Sequence, residues 1–91
     1  MRIELYSIPN CKHSLKIEDF LQKNNIQFKK IMVNDEQIKK EIKRLIGYEK
    51  NISFLKITRN HSINIIDGFN EHAMNIEIIE HIKKYHPKIE V

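Results

Sequence analysis

Along this 91-residue chain the spacing of apolar positions switches between two and three-to-four, and each switch marks an element. In RIELYSI, Ile3 and Leu5 alternate with Glu4 and Tyr6, the period of a strand. From about Lys12 the period lengthens: Ile17, Phe20 and Leu21 recur with Lys16, Glu18, Asp19 and Gln22 between them. That spacing predicts an amphipathic helix ending near KNN, where Asn24 or Asn25 can take the left-handed conformation that closes it. IQFKKIMV predicts a second strand, and NDEQ a second helix, with Asn34 as cap and Gln37 reaching back in a capping box. The buried stripe of that helix is Ile38, Ile42, Leu45 and Ile46, and Gly47 ends it.

NISFLKI and HSINII are β-branched apolar runs joined by TRN, short enough to predict an antiparallel hairpin. After DGF comes a third helix, capped by Asn70, with Met74, Ile78 and Ile82 one turn apart and Pro87 as its stop. The order is β-α-β-α-β-β-α, with no repeat or linker, so residues 1–91 are expected to form one domain. A right-handed crossover makes the first two strands parallel, which predicts an α/β fold with a mixed four-stranded sheet and helices on both faces. In such sheets function gathers beyond the carboxyl ends of the parallel strands, and Cys11 stands just past the first.

Composition narrows the function. A single cysteine excludes an internal disulfide, and no basic start followed by a long apolar run marks a secretion signal or membrane span, so a cytoplasmic protein is expected. The net charge of +4 is spread over 16 Lys+Arg among 12 Asp+Glu. The densest run, QIKKEIKRLI, sets its lysines between helix-spaced isoleucines and reads as a solvated face, so no nucleic-acid partner is expected.

The chemistry concentrates in IPNCKHSLKI. A thiol is nucleophilic as its thiolate, and an ordinary cysteine with a pKa of about 8.5 is mostly protonated at neutral pH. A helix N-terminus aims unpaired amides and partial positive charge at such an anion, and Cys11 stands where the first helix is expected to begin. Lys12 adds a cation, His13 another when protonated, and Ser14 lies one turn in, able to donate its hydroxyl to the sulfur. Pro9 holds the preceding turn extended and lacks an amide that would need a partner. Read without function, Cys11 is a small apolar filler, since free cysteines are among the most often buried residues.

IELYSIPNCKHSLKIEDFLQKNNIQFKKIMV resembles the opening of a glutaredoxin, a thioredoxin-fold protein with C-x-x-C or C-x-x-S at the start of its first helix. IIDGFNEHAM resembles the turn before the last helix of that family. The resemblance implies that Cys11 is the nucleophile and that Ser14 stands in the second, resolving position, a monothiol site. It implies thiol-disulfide exchange on glutathione mixed disulfides by a monomer, with glutathione as co-substrate and a protein disulfide as the other partner. By the same resemblance, glutathione would be held by Lys12, His13, Ser53, Phe54, Gly68, Asn70 and Glu71. Where the family has T-V-P, with a cis-proline, this chain has Ile52-Ser53-Phe54. A trans bond is expected before Phe54, because a cis bond to a non-proline costs about 3–4 kcal/mol. The lysine common before the family's cysteine is replaced around Ile8, and Asp67 takes the place of the first of two turn glycines.

Other chemistry fits less well. Cys11 and His13 supply two metal ligands where zinc needs four, and His61, His72, His81 and His86 show no ligand spacing with them, so no metal is expected. Lys-His inside the motif replaces the Gly-Phe of the branch that bridges an iron-sulfur cluster. An arsenate-reductase-like activity needs arginines around the oxyanion, and Arg2, Arg44 and Arg59 are dispersed. Tyr6, Tyr48 and Tyr85 read as packing. The alternative from another class is a degenerate thioredoxin-fold module that binds a protein partner without redox activity, which the missing proline at position 54 favours.

Overall fold

The computed structural model describes residues 1–47 and 52–82. The elements are β1 (Arg2–Ser7), α1 (Lys12–Lys23), β2 (Lys29–Met32), α2 (Glu36–Ile46), β3 (Phe54–Arg59), β4 (Ser62–Asp67) and α3 (Glu71–Met74). A π-helical stretch over Asn75–Glu80 continues α3. The sheet order is β2-β1-β3-β4, with β2 parallel to β1 and the other pairs antiparallel. This is the predicted mixed four-stranded sheet, and β1 lies inside it with a neighbour on each flank.

Alternation along β1 builds two cores. Ile3 and Leu5 face Ile17 and Leu21 of α1 and Met74 of α3, joined by Leu55, Ile57 and Ile66. On the opposite face Tyr6 and Phe54 stack at 4.8 Å and 6° and pack with Val33 and Ile42. Because α2 covers that face, Glu4 is buried and ion-paired to its register partner Lys56, Oε1 to Nζ 3.6 Å, although alternation alone makes it look solvated.

The helix ends follow their capping chemistry. Asn25 is the left-handed residue, φ 54°, and the amides of Asn25 and Ile26 return to the carbonyls of Gln22 and Leu21, a Schellman closure of α1. Gly47 closes α2 at φ 86°, and Asn70 Oδ1 accepts from the Ala73 amide.

Four expectations need correction. Asp35, not Asn34, caps α2, its Oδ1 accepting from the Ile38 amide at 2.9 Å. The Val33 amide is held by the Ser7 carbonyl, so the chain leaves the sheet later and the helix starts one residue on. Leu45 is 44 % exposed at the rim of a cavity of about 260 Å³ that it shares with Tyr6, Ile31, Glu41 and Lys56. Thr58 and Arg59 extend β3, so the hairpin turns on Asn60 and His61. Arg59 reaches the last helix, pairing with the Glu77 carboxylate at 3.2 Å and donating to the Glu77 carbonyl. Finally, nothing in NIEIIE signals the π-helical winding, although Ile78 is buried as its spacing requires. Tyr48, Tyr85, His86, Pro87 and the side chain of Ile46 lie outside the described residues.

Leu5 has no exposed surface at the centre of the larger core. Leu5→Ala is expected to lower the unfolding free energy by about 2–5 kcal/mol, read from the urea midpoint. Ile63→Ala, at a position 48 % exposed, should change it by no more than about 0.5 kcal/mol.

Candidate active site

IPNC folds as a hydrogen-bonded turn between β1 and α1. The Cys11 amide donates to the Ile8 carbonyl at 3.2 Å, Pro9 occupies the second position and Asn10, φ 63°, the third. A proline followed by a residue with positive φ is the type II arrangement, and asparagine tolerates the left-handed region better than most residues. The turn delivers Cys11 to the N-cap of α1 in extended geometry, φ −96° and ψ 122°. Its sulfur closes no cap hydrogen bond, and the Ser14 amide donates to the Cys11 carbonyl at 3.3 Å, but the amides of His13 and Ser14 lie near enough to favour the thiolate.

The second hold on the sulfur comes from across the sheet. Ser53, with no exposed surface, directs its amide to Cys11 Sγ at 3.4 Å. Its hydroxyl accepts from the Ile8 amide at 2.9 Å, and its carbonyl accepts from the Gly68 amide at 2.8 Å. One residue thereby ties the turn before α1, the start of β3 and the turn before α3. Burial pushes the Cys11 thiol up, but the Ser53 hydroxyl and the amides of Ser53, His13 and Ser14 outweigh it and hold the thiol below its ordinary value. Folding therefore stabilises the thiolate, a contribution present above the unfolded thiol's pKa and lost as pH falls through the lowered value.

Two side chains take roles other than those expected. The Ser14 hydroxyl is buried against Ser7, Oγ to Oγ 2.6 Å, so it ties α1 to β1, while the Ser14 amide donates to the Cys11 carbonyl. His13 Nδ1 accepts from the Phe69 amide at 2.9 Å. An acceptor nitrogen carries no proton, so in this arrangement the ring is neutral with its hydrogen on Nε2 and clasps α1 to the β4–α3 turn. Gly68 lies beneath the clasp at φ 66°, and a Cβ there would meet Ile52 Cδ1 at 2.9 Å and His13 Nδ1 at 3.0 Å.

The remaining candidates separate. Lys12 is exposed at the start of α1. Asn70 is engaged as the cap of α3, and Glu71 is exposed in its first turn. The Phe54 side chain is not brought to the sulfur: it is 1 % exposed, in the core on the α2 face. No peptide bond among the described residues is cis, as expected for the bond before Phe54. Sequence reasoning missed Ser7 and the link from Ser53 to Cys11, which depend on a contact 42 residues apart in sequence. The type II turn was legible in the Pro-Asn pair. On the β2 flank of Cys11 a groove of about 330 Å³ opens, its lining including Ile8, Pro9, Leu15 and Met32.

A thiol at the end of β1, held by a helix N-terminus and by the residue before β3, is the site of a thioredoxin-fold thiol protein. The sequence model of the glutaredoxin family, described simply as glutaredoxin, matches residues 3–50. A Clostridium pasteurianum relative, described as an uncharacterised glutaredoxin-like 8.6 kDa protein in the rubredoxin operon, is 30 % identical over 69 residues, covering 76 % of this chain and 87 % of the relative. The crystal structure of the Archaeoglobus fulgidus glutaredoxin grx-1 superposes with a TM-score of 0.65 at 15 % identity, covering 86 % of this chain and 85 % of the other. This chain belongs to the glutaredoxin family and has its thioredoxin-like fold.

Ser53→Ala removes the hydroxyl from the Ile8 amide and from the sulfur. It is expected to raise the Cys11 pKa, read by ultraviolet thiolate absorbance, and to destabilise the protein by about 1–3 kcal/mol through the unpaired amide. Ser14→Ala leaves the Ser7 hydroxyl unpaired and should cost a similar amount, while leaving the thiol titration close to that of the unaltered protein.

Proposed function

We propose that this protein is a thiol-disulfide oxidoreductase that works through Cys11 alone, on mixed disulfides between glutathione and proteins in the cytoplasm. The observation that carries this reading is the placement of Cys11 Sγ at the N-terminus of α1, faced by the Ser53 amide at 3.4 Å, an arrangement that lowers its pKa. Only a thiolate attacks a disulfide at a useful rate, and a thiol with pKa near ambient pH combines ionisation with retained nucleophilicity. The Cys11 thiolate attacks the glutathionyl sulfur, a Cys11–glutathione disulfide forms, and the substrate cysteine leaves as a thiolate. A second glutathione then attacks that disulfide, freeing Cys11 and producing oxidised glutathione, so electrons balance without any other cofactor.

Ser14 replaces a resolving thiol, which confines the chemistry to this route. His13, Gly68, Asn70 and Glu71 lie at or beside the turn that would receive the glutathionyl group. The alternative reading, a module that binds a protein without redox work, is favoured by one observation. The N–H and C=O of Ser53 are both engaged within the protein, so this backbone edge offers neither to glutathione.

Incubation with oxidised glutathione should give one Cys11–glutathione adduct by mass spectrometry, released by reduced glutathione. Deglutathionylation of a glutathionylated protein should be lost in Cys11→Ser. Absence of the adduct, or full activity in Cys11→Ser, would favour the binding module.

A further inference from the structure

Cys11 follows β1, which has β2 on one flank and β3 on the other, so a disulfide approaching its sulfur meets two different surfaces. The β3 flank is backbone and turn: the Ser53 amide on the sulfur, the Ser53 carbonyl on Gly68, and His13 clasped to Phe69. The β2 flank is the groove of about 330 Å³, large enough for a small group and walled by Ile8, Pro9, Leu15 and Met32. Leu15 is 72 % exposed, more than any other large apolar side chain among the described residues, and Met32 is 42 % exposed. Neither is needed by the core, and both lie beside the nucleophile.

Charge distinguishes the possible occupants. Within the groove Glu18 Oε2 already holds Lys30 Nζ at 3.0 Å, which leaves Lys12 as a cation that no carboxylate of the described residues holds. A glutathionyl group brings one ammonium and two carboxylates, and the groove has no unmatched anion to receive the ammonium. An apolar polypeptide side chain needs no such partner, and covering Leu15 and Met32 removes apolar surface from water.

We propose that this groove receives the polypeptide half of the mixed disulfide, with an apolar side chain beside the modified cysteine lying against Leu15 and Met32. The assignment rests on the exchange function proposed above. In the exchange the new S–S bond joins Cys11 to the glutathionyl sulfur and the old S–S bond breaks. Its electron pair leaves on the polypeptide cysteine, which is released at the groove and protonated by solvent. Selection among substrates then follows the residue next to the modified cysteine.

The test uses two glutathionylated peptides identical except for Leu or Ser next to the cysteine, with 2-hydroxyethyl disulfide as a reference for thiol reactivity. The native protein is expected to react about tenfold faster with the leucine peptide, the effect of one buried apolar contact. Leu15→Gln and Met32→Gln should each erase most of that preference, and Ile63→Gln, on β4, should keep it. Equal rates for the two peptides with the native protein would overturn the assignment, as would a preference that survives in Leu15→Gln. A fall in the rate with oxidised glutathione matching the fall for the leucine peptide would place glutathione in the groove and also overturn it. If the native protein fails to react even with 2-hydroxyethyl disulfide, the exchange function itself falls, and the groove assignment with it.

Discussion

The arrangement around Cys11 depends on Ser53, a small polar residue with no exposed surface whose amide, carbonyl and hydroxyl are all engaged. A buried hydroxyl or amide left unpaired costs about 1–3 kcal/mol, so each of these bonds is strongly favoured once the surrounding cores close. Together they fix three segments that the sequence keeps far apart: the Ile8 turn, the start of β3, and Gly68. The thiol is thus positioned by the sheet as well as by the helix it caps. The bond after Ser53 is trans, so this anchoring works with phenylalanine, not proline, at position 54.

Around that anchor the polar side chains divide the labour. Ser14 and Ser7 join α1 to β1 beneath the thiol, while His13 joins α1 to the β4–α3 turn above Gly68. The side chains of both residues therefore fix the start of α1, whose first amides lie near the sulfur. The electrostatic support of the thiolate comes from the Ser53 hydroxyl and from backbone amides, while the nearby cation Lys12 is exposed and screened by solvent.

The elements were legible because their apolar periods are clean. Ile3 and Leu5 alternate, Ile17 and Leu21 recur one helical turn apart, and Asn25, Gly47 and Asn70 carry their capping chemistry in the residue type itself. The misplacements are local: Asn34 and Asp35 are both good caps, and the choice was made by the Val33 amide pairing with Ser7 in the sheet. The position of Cys11 at a helix start was equally readable. What decides the site chemistry was not, because the Ser7–Ser14 and Ser53–Cys11 contacts are tertiary, and no spacing rule links residue 53 to residue 11. Leu15 falls off the Ile17–Leu21 stripe of α1, and that it lines a groove with Met32 follows only from the placement of β2 beside the turn.

Folding places Cys11 where its thiolate is favoured. The pH dependence of Cys11 alkylation tests this most directly, comparing the native protein with the same protein in denaturant. The native midpoint is expected clearly below that of the unfolded thiol, with the rate levelling off before an ordinary cysteine would be fully ionised. Coincident midpoints, or a native midpoint above the unfolded one, would contradict it.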